Sequence, residues 1–342
     1  MPPQFHGNAG IARTLLDMAR TGRIPQTLLL SGPPGVGKAT LARRFGMALL
    51  PDTASIESDD LSLPSNAEIV AEREKWTSEK RNEDPLLFST HSDFVTFPPD
   101  GPLRQITIQQ MRLLKERAPF LPLRGAHRVF LIDHIDRANE QAANSLLKTL
   151  EEPPAHLVIV MTAENAYDLL PTIRSRAVMF HLAPLTPEEM LAFLAGRGLD
   201  DPKRRLHLAA GSPGIAASLD LEMQDRLRAV MLCLLRVSSG LAQFSEWVKA
   251  SEAASARKQD RLDQYLDVFY TLLEDLLRLQ NGVASLRNAD LHSELAAIAA
   301  KVSFTWLRSA TAKTDRLLHL VRRNIQKTLA LDALAVELGR AA

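Results

Sequence analysis

The 342 residues are 46% hydrophobic and 24% charged, enough chain for two or three domains with at least one sizeable core. Forty-one basic residues against 40 acidic ones leave a net charge of +1, which excludes a global electrostatic attraction to nucleic acid or to membranes. A single cysteine, Cys233, excludes an internal disulfide, and the nine histidines show no metal-ligand spacing among themselves, so neither a zinc site nor any other metal site is expected.

The N-terminal stretch MPPQFHGNAGIARTLLDMARTG lacks the basic, apolar and small-residue order of a signal peptide. No apolar run approaches the roughly 20 residues that cross a bilayer, so a cytoplasmic chain without membrane contact is expected. From there to residue 182, short apolar runs alternate with amphipathic stretches. TLLLSG (27–32), DFVTF (93–97), RVFLID (128–133), LVIVMT (157–162) and AVMFHL (177–182) predict buried strands, the first four each followed by a helix. That order predicts an α/β domain on a parallel sheet, with ligands at the carboxyl ends of its strands. Residues 51–85 are polar, without a strand signal, and predict a variable surface insertion, partly helical or mobile.

The first run leads into Gly32-Pro33-Pro34-Gly35-Val36-Gly37-Lys38-Ala39-Thr40, a glycine-rich loop between a strand and a helix. Such a loop turns backbone N–H groups and a helix N-terminus toward phosphate oxygens, and its lysine reaches the outer phosphates. The residue after the lysine ordinarily gives magnesium a hydroxyl ligand. Ala39 gives none, and Thr40 lies about 100° further around the helix. Asp133, ending the run 128–133, is the acid expected to hold magnesium through water. The next position, which in a hydrolysing site is a glutamate for the attacking water, is His134. Two substitutions at the positions that handle metal and water predict ATP or ADP binding without hydrolysis. Arg176, in LLPTIRSRA (169–177), precedes a strand at the domain rim, where an exposed guanidinium serves either as an ion pair or as a finger completing a neighbour's nucleotide site.

Residues 183–220 predict a small helical module, opening at the cap Thr186-Pro187-Glu188-Glu189 and closing its first helix at Gly196 and Gly198. From 221 to 342 there is no proline, and Leu262, Tyr265, Leu266, Phe269, Leu273, Leu276 and Leu277 fall on one face of a helix closed by Asn281-Gly282, which predicts core packing in an all-α C-terminal domain. Cys233 is expected as a small core residue.

GPPGVGKAT, VFLIDHIDRANEQAANSLLKTLEEPP and LLPTIRSRA together resemble the AAA+ clamp-loader subunits of bacterial DNA polymerase III, and AAGSPGIAASLD (209–220) with RRNIQKTLALDAL (322–334) resembles the delta-prime type. The resemblance covers essentially the whole chain outside 51–85. It implies a RecA-like P-loop domain (1–182), a helical lid (183–220) and an all-α collar for oligomerisation (221–342). It also implies a hetero-pentameric ring with gamma/tau and delta subunits that loads the sliding clamp onto primer–template DNA during replication. Ser175-Arg176-Ala177 matches the first two residues of the family's arginine-finger motif, which implies that Arg176 acts in trans. The family's four zinc cysteines are absent, and Gly211-Ser212-Pro213-Gly214 holds no arginine where ATPase subunits carry one. The expectation is a non-hydrolysing subunit of the polymerase holoenzyme. The alternative is an active gamma/tau-like ATPase in which Thr40 or water replaces the lost ligand. A free-standing DNA-binding module is disfavoured by the balanced charge and by the lack of interleaved aromatic and basic residues.

Overall fold

The computed structural model describes residues 5–257, 260–283, 285–321 and 326–339. The basic part of the 322–334 motif, residues 322–325, lies outside the described residues. The chain divides into two compact units, one of residues 1–199 with 211–215 and one of 200–210 with 216–342, so the segment 183–220 is shared between them.

The first unit is built on six strands, β1 (Thr27–Ser31), β2 (Phe88–His91), β3 (Phe94–Phe97), β4 (Arg128–Ile132), β5 (Leu157–Ala163) and β6 (Val178–His181). Their order across the sheet is β2-β3-β4-β5-β1-β6, parallel except for β2 against β3. The helices are α1 (Ala9–Thr21), α2 (Lys38–Leu49), α3 (Pro64–Arg73), α4 (Ser78–Glu83), α5 (Ile108–Arg117), α6 (Glu140–Glu151), α7 (Pro171–Arg174) and α8 (Pro187–Arg197). Alternate residues of each central strand feed two cores. Leu29, Phe130, Ile132, Ile159 and Met161 meet Leu114 of α5, Leu146 of α6 and Ile173 of α7. Leu28, Leu30, Val129, Leu131 and Val158 meet Leu15 of α1 with Leu41 and Phe45 of α2. Burial on both faces explains why these strands read as continuous apolar runs.

The five expected strands are present, but β6 is an edge strand and not buried, with Val178 and Met179 exposed because among the described residues no further strand or helix covers them; β2 is an addition. It is a short antiparallel edge strand, with Phe88 and His91 buried and Ser89 and Thr90 exposed. The segment 51–85 is a tethered helical insertion. A 3₁₀ turn at Thr53–Asp59, then α3 and α4, are held to the body by buried arginines. Arg43 of α2 bonds Glu57 at 3.2 Å and also pairs with Asp60, while Arg73 bonds both oxygens of the buried Asp100, at 3.1 and 2.8 Å. Trp76 lies between two cations, 4.5 Å from Arg73 and 3.7 Å from Lys80, measured to its ring centre.

α8 begins as its sequence predicts, with a reciprocal capping box between Thr186 and Glu189, and ends at Gly198 in the left-handed conformation, φ 61°. The second unit follows with α9 (Pro202–Ala209), α11 (Leu221–Ser238), α12 (Phe244–Ala256), α13 (Leu262–Gln280), α14 (His292–Ala299), α15 (Phe304–Val321) and α16 (Lys327–Gly339), with α10 (Pro213–Ser218) starting in the first unit. Its core gathers Leu234, Leu235, Trp247, Tyr265, Phe269, Leu272, Leu295, Trp306 and Leu334. Two acids, Asp275 fully buried and Asp332 partly so, tie this bundle together. Asp332 accepts from Trp247 Nε1 at 2.9 Å and from Ser251 Oγ at 2.7 Å, and Asp275 accepts the backbone N–H groups of Arg287 and Asn288 at 2.8 Å each. The α13 stripe holds at six of its seven expected positions and is wider than predicted: Val268 and Leu272 are also buried, while Leu277 is 38% exposed. Cys233 is half-buried, and burial pushes its thiol up. Among the described residues, no helix is long and apolar enough to cross a membrane.

Candidate nucleotide site

Because β1 lies beside β5, and β5 beside β4, the loops leaving β1, β4 and β5 emerge at one end of the sheet. The loop after β1 has phosphate-loop geometry. Gly32, Gly35 and Gly37 have φ of 146°, 74° and 98°, and α2 starts directly after Gly37 with no side-chain cap on its first N–H groups. At Gly32 the requirement is also steric, since a Cβ would stand 2.3 Å from the Leu182 carbonyl oxygen that follows β6. Pro33, Pro34 and Val36 complete the turn, with Val36 buried. Lys38 is 5% exposed and folds back over the loop, Nζ donating to the carbonyls of Gly32 at 2.6 Å and Pro33 at 2.8 Å. Burial lowers its ammonium pKa, and the carboxylates of Glu164, Asp133 and Asp136 oppose that shift.

Asp133 is buried at the exit of β4, where Oδ1 accepts from Thr162 Oγ1 of β5 at 2.6 Å. The same hydroxyl accepts the His134 N–H at 2.8 Å, so one threonine orients both residues. His134 adopts φ 56°, a left-handed conformation uncommon outside glycine. The reversal places its ring among carboxylates: Nδ1 lies 4.0 Å from Asp136 Oδ1 and 3.8 Å from Glu164 Oε1. Neither acid stands out in the sequence, because Glu164 reaches His134 only through the parallel pairing of β4 with β5.

The segment 211–215 also closes on the loop, which local pattern could not show. Gly214 N–H donates to the Gly35 carbonyl at 2.8 Å, and a Cβ on Gly35 would stand 2.9 Å from the Ile215 backbone nitrogen. The ring of Phe5 covers the other flank, 3.1 Å from where a Gly37 Cβ would lie. The loop and Lys38 therefore fit a phosphate group by conformation and charge. Ala39 and Thr40 follow in the first turn of α2, and Ala39 brings no oxygen ligand for magnesium.

Arg176 is remote in sequence from the loop, in the link between α7 and β6. Its Nη2 donates to Glu151 Oε1 at 2.6 Å and its Nη1 to the Thr172 carbonyl at 2.8 Å. The side chain is about one-third exposed.

A P-loop sheet of this order followed by a helical unit is the architecture expected of an AAA+ chain with an all-α C-terminal domain. Residues 7–186 match the family described as DNA polymerase III, delta subunit, and residues 236–338 match that family's C-terminal domain. The chain belongs to the DNA polymerase III delta-subunit family. It is 28% identical over 218 residues to the delta' subunit of Escherichia coli, covering 63% of this chain and 63% of that one. It is 29% identical over 188 residues to the gamma subunit of Buchnera aphidicola from Schizaphis graminum, covering 55% of this chain and 46% of the relative. With the tau subunit of Salmonella typhimurium it shares 28% identity over 184 residues, 54% of this chain but 26% of tau. The chain thus spans from about a quarter to under two-thirds of the length of these curated relatives.

Proposed function

We propose that this family member is a delta-prime-type subunit of the DNA polymerase III clamp loader, a stator that does not hydrolyse ATP. In this reading it sits in a hetero-pentameric ring beside gamma/tau and delta subunits in the cytoplasm. The ring opens the sliding clamp and places it on primer–template DNA. Arg176 reaches a nucleotide held by the adjoining subunit, while the phosphate loop of this chain binds ATP or ADP without turnover or stays closed.

The observation that carries the reading is the pairing of an intact phosphate-loop geometry with two lost functions. Ala39 cannot ligate magnesium, and His134 replaces the carboxylate that would orient water. Lys38, turned onto its own loop, and the contact of Gly214 with Gly35 both favour a resting cleft. A guanidinium that stabilises charge on a transferring phosphoryl group is worth roughly 10³–10⁵ in rate. In a reconstituted loader, Arg176→Ala is expected to lower DNA-stimulated ATPase while the subunits still assemble. Unchanged turnover in an intact ring rejects the finger role.

A gamma/tau-like ATPase is the second reading, favoured by the retained Lys38 and Asp133. Steady ATP turnover by the isolated chain, abolished by Lys38→Ala, would establish it in place of the stator.

A further inference from the structure

Three side chains that nucleotide binding leaves without a task converge at the carboxyl ends of β4 and β5. One donor atom from each of His134, Asp136 and Glu164 lies within 4.8 Å of the other two. The imidazole Nδ1 is 4.0 Å from Asp136 Oδ1 and 3.8 Å from Glu164 Oε1, distances too long for hydrogen bonds. Nonetheless His134 Nδ1 and Asp136 Oδ1 are both shut off from solvent and have no hydrogen-bond partner. A buried polar atom left unpaired is costly, so two of them facing one point favour a bound group between them.

The surrounding backbone aims these atoms at that point. Glu164 N–H donates to Asp136 Oδ2 at 3.4 Å, which leaves Oδ1 turned toward the imidazole. The left-handed conformation of His134, with its N–H on Thr162, directs the ring inward from a rigid strand end. In a tetrahedral site, donor atoms about 2.0–2.2 Å from a shared cation stand about 3.3–3.6 Å apart, so the three groups must close by roughly half an ångström to an ångström around a common centre.

We propose that His134, Asp136 and Glu164 form a three-ligand site for a divalent first-row transition metal, with Zn²⁺ the best match and water in the remaining position. A neutral imidazole beside two carboxylates is a nitrogen–oxygen donor set that Zn²⁺ accepts readily, whereas Mg²⁺ prefers oxygen alone. The local charge suits a dication: Asp133, Asp136 and Glu164 face Lys38 and Arg137, three negative groups against two positive. Arg137 bonds Glu164 Oε1 at 3.4 Å and Lys38 is engaged by loop carbonyls, so neither cation fills the space between the donors. The His134 and Glu164 side chains are 26% and 38% exposed, which gives an ion a route in from solvent. The bound ion ties the exit of β4 to the exit of β5 beside the phosphate loop. This site does not depend on the clamp-loader assignment.

The test uses the full chain, stripped with a chelator and titrated with Zn²⁺ against a competing chromophoric chelator, with Co²⁺ as a spectroscopic probe. One equivalent is expected to bind, and Co²⁺ to show the visible absorption of a low-coordinate nitrogen–oxygen site. His134→Ala and Asp136→Asn should each weaken binding by about a hundredfold or more, while His207→Ala, at an exposed position on α9, leaves it unchanged. Should His134→Ala fail to fold, Glu164→Gln in the same titration carries the comparison. Equal binding by wild type and the folded ligand variants overturns the proposal, as does loss of binding in His207→Ala or failure of wild type to bind at all.

Discussion

Arg176 is paired with Glu151 at 2.6 Å, which joins the residue two before β6 to the last residue of α6. Both side chains keep access to solvent, and an ion pair of that kind contributes about 0–1 kcal/mol. Arg176→Ala and Glu151→Gln should each cost the isolated chain less than about 1 kcal/mol in urea denaturation. A loss above about 2 kcal/mol would make Arg176 a structural residue and leave its role toward a neighbour without support.

Asp100 presents the opposite case. Its carboxylate is 1% exposed and bonded through both oxygens to Arg73. Arg73 keeps Asp84 as a second partner, at 3.2 Å, so removing Asp100 loses two charge-assisted bonds, about 1.5–3 kcal/mol, without stranding the arginine. Asp100→Ala should therefore lower the denaturation midpoint more than either change at the Arg176 pair. An effect below about 1 kcal/mol would mean that the insertion 51–85 is not held by this link.

Gly35 lies under the segment 211–215 with φ 74°. Gly35→Ala would strain the backbone and push a methyl group to 2.9 Å from the Ile215 nitrogen. A destabilisation of about 1–3 kcal/mol is expected in thermal melts without nucleotide. An unchanged melt would show that the loop and this segment are not packed as described.

Asp59 is buried, and burial raises its carboxyl pKa, although Oδ1 accepts from both the N–H and the hydroxyl of Thr90. A folded-state pKa above the unfolded one means that folding takes up a proton as the pH falls through it, so the ionised form weakens the fold at higher pH. Asp59→Asn keeps an acceptor for Thr90 and removes that charge. The variant should melt higher than wild type at pH 8, with the advantage shrinking toward about pH 4, near the ordinary aspartate value. A difference that grows on acidification would contradict the assigned direction.

The phosphate loop and the four central strands were legible because their determinants are local: glycine at fixed spacing, and unbroken apolar runs where both sheet faces are covered. β2 escaped because Phe88–His91 is short and buries only its two ends. The stripe on α13 was misplaced by Leu277 because its apolar residues run wider than one face, and the partner helices decide which are covered. The clustering of His134 with Glu164 had no local signal, since thirty positions separate them and only strand order makes them neighbours. Gly214 against Gly35 is longer-ranged still. The sequence shows that both are glycines but not that their backbones meet.

Gly46, in the middle of α2, stands where a Cβ would come within 2.4 Å of the Phe94 ring of β3. The helix is thus spaced from the Phe94 ring by a hydrogen atom, and a methyl group there must displace either that buried ring or the helix. Lys38 is at the far end of the same rod, about 12 Å away along its axis. A shift of the helix at position 46 would be carried to that ammonium, so a residue that never touches phosphate bears on the mouth of the cleft.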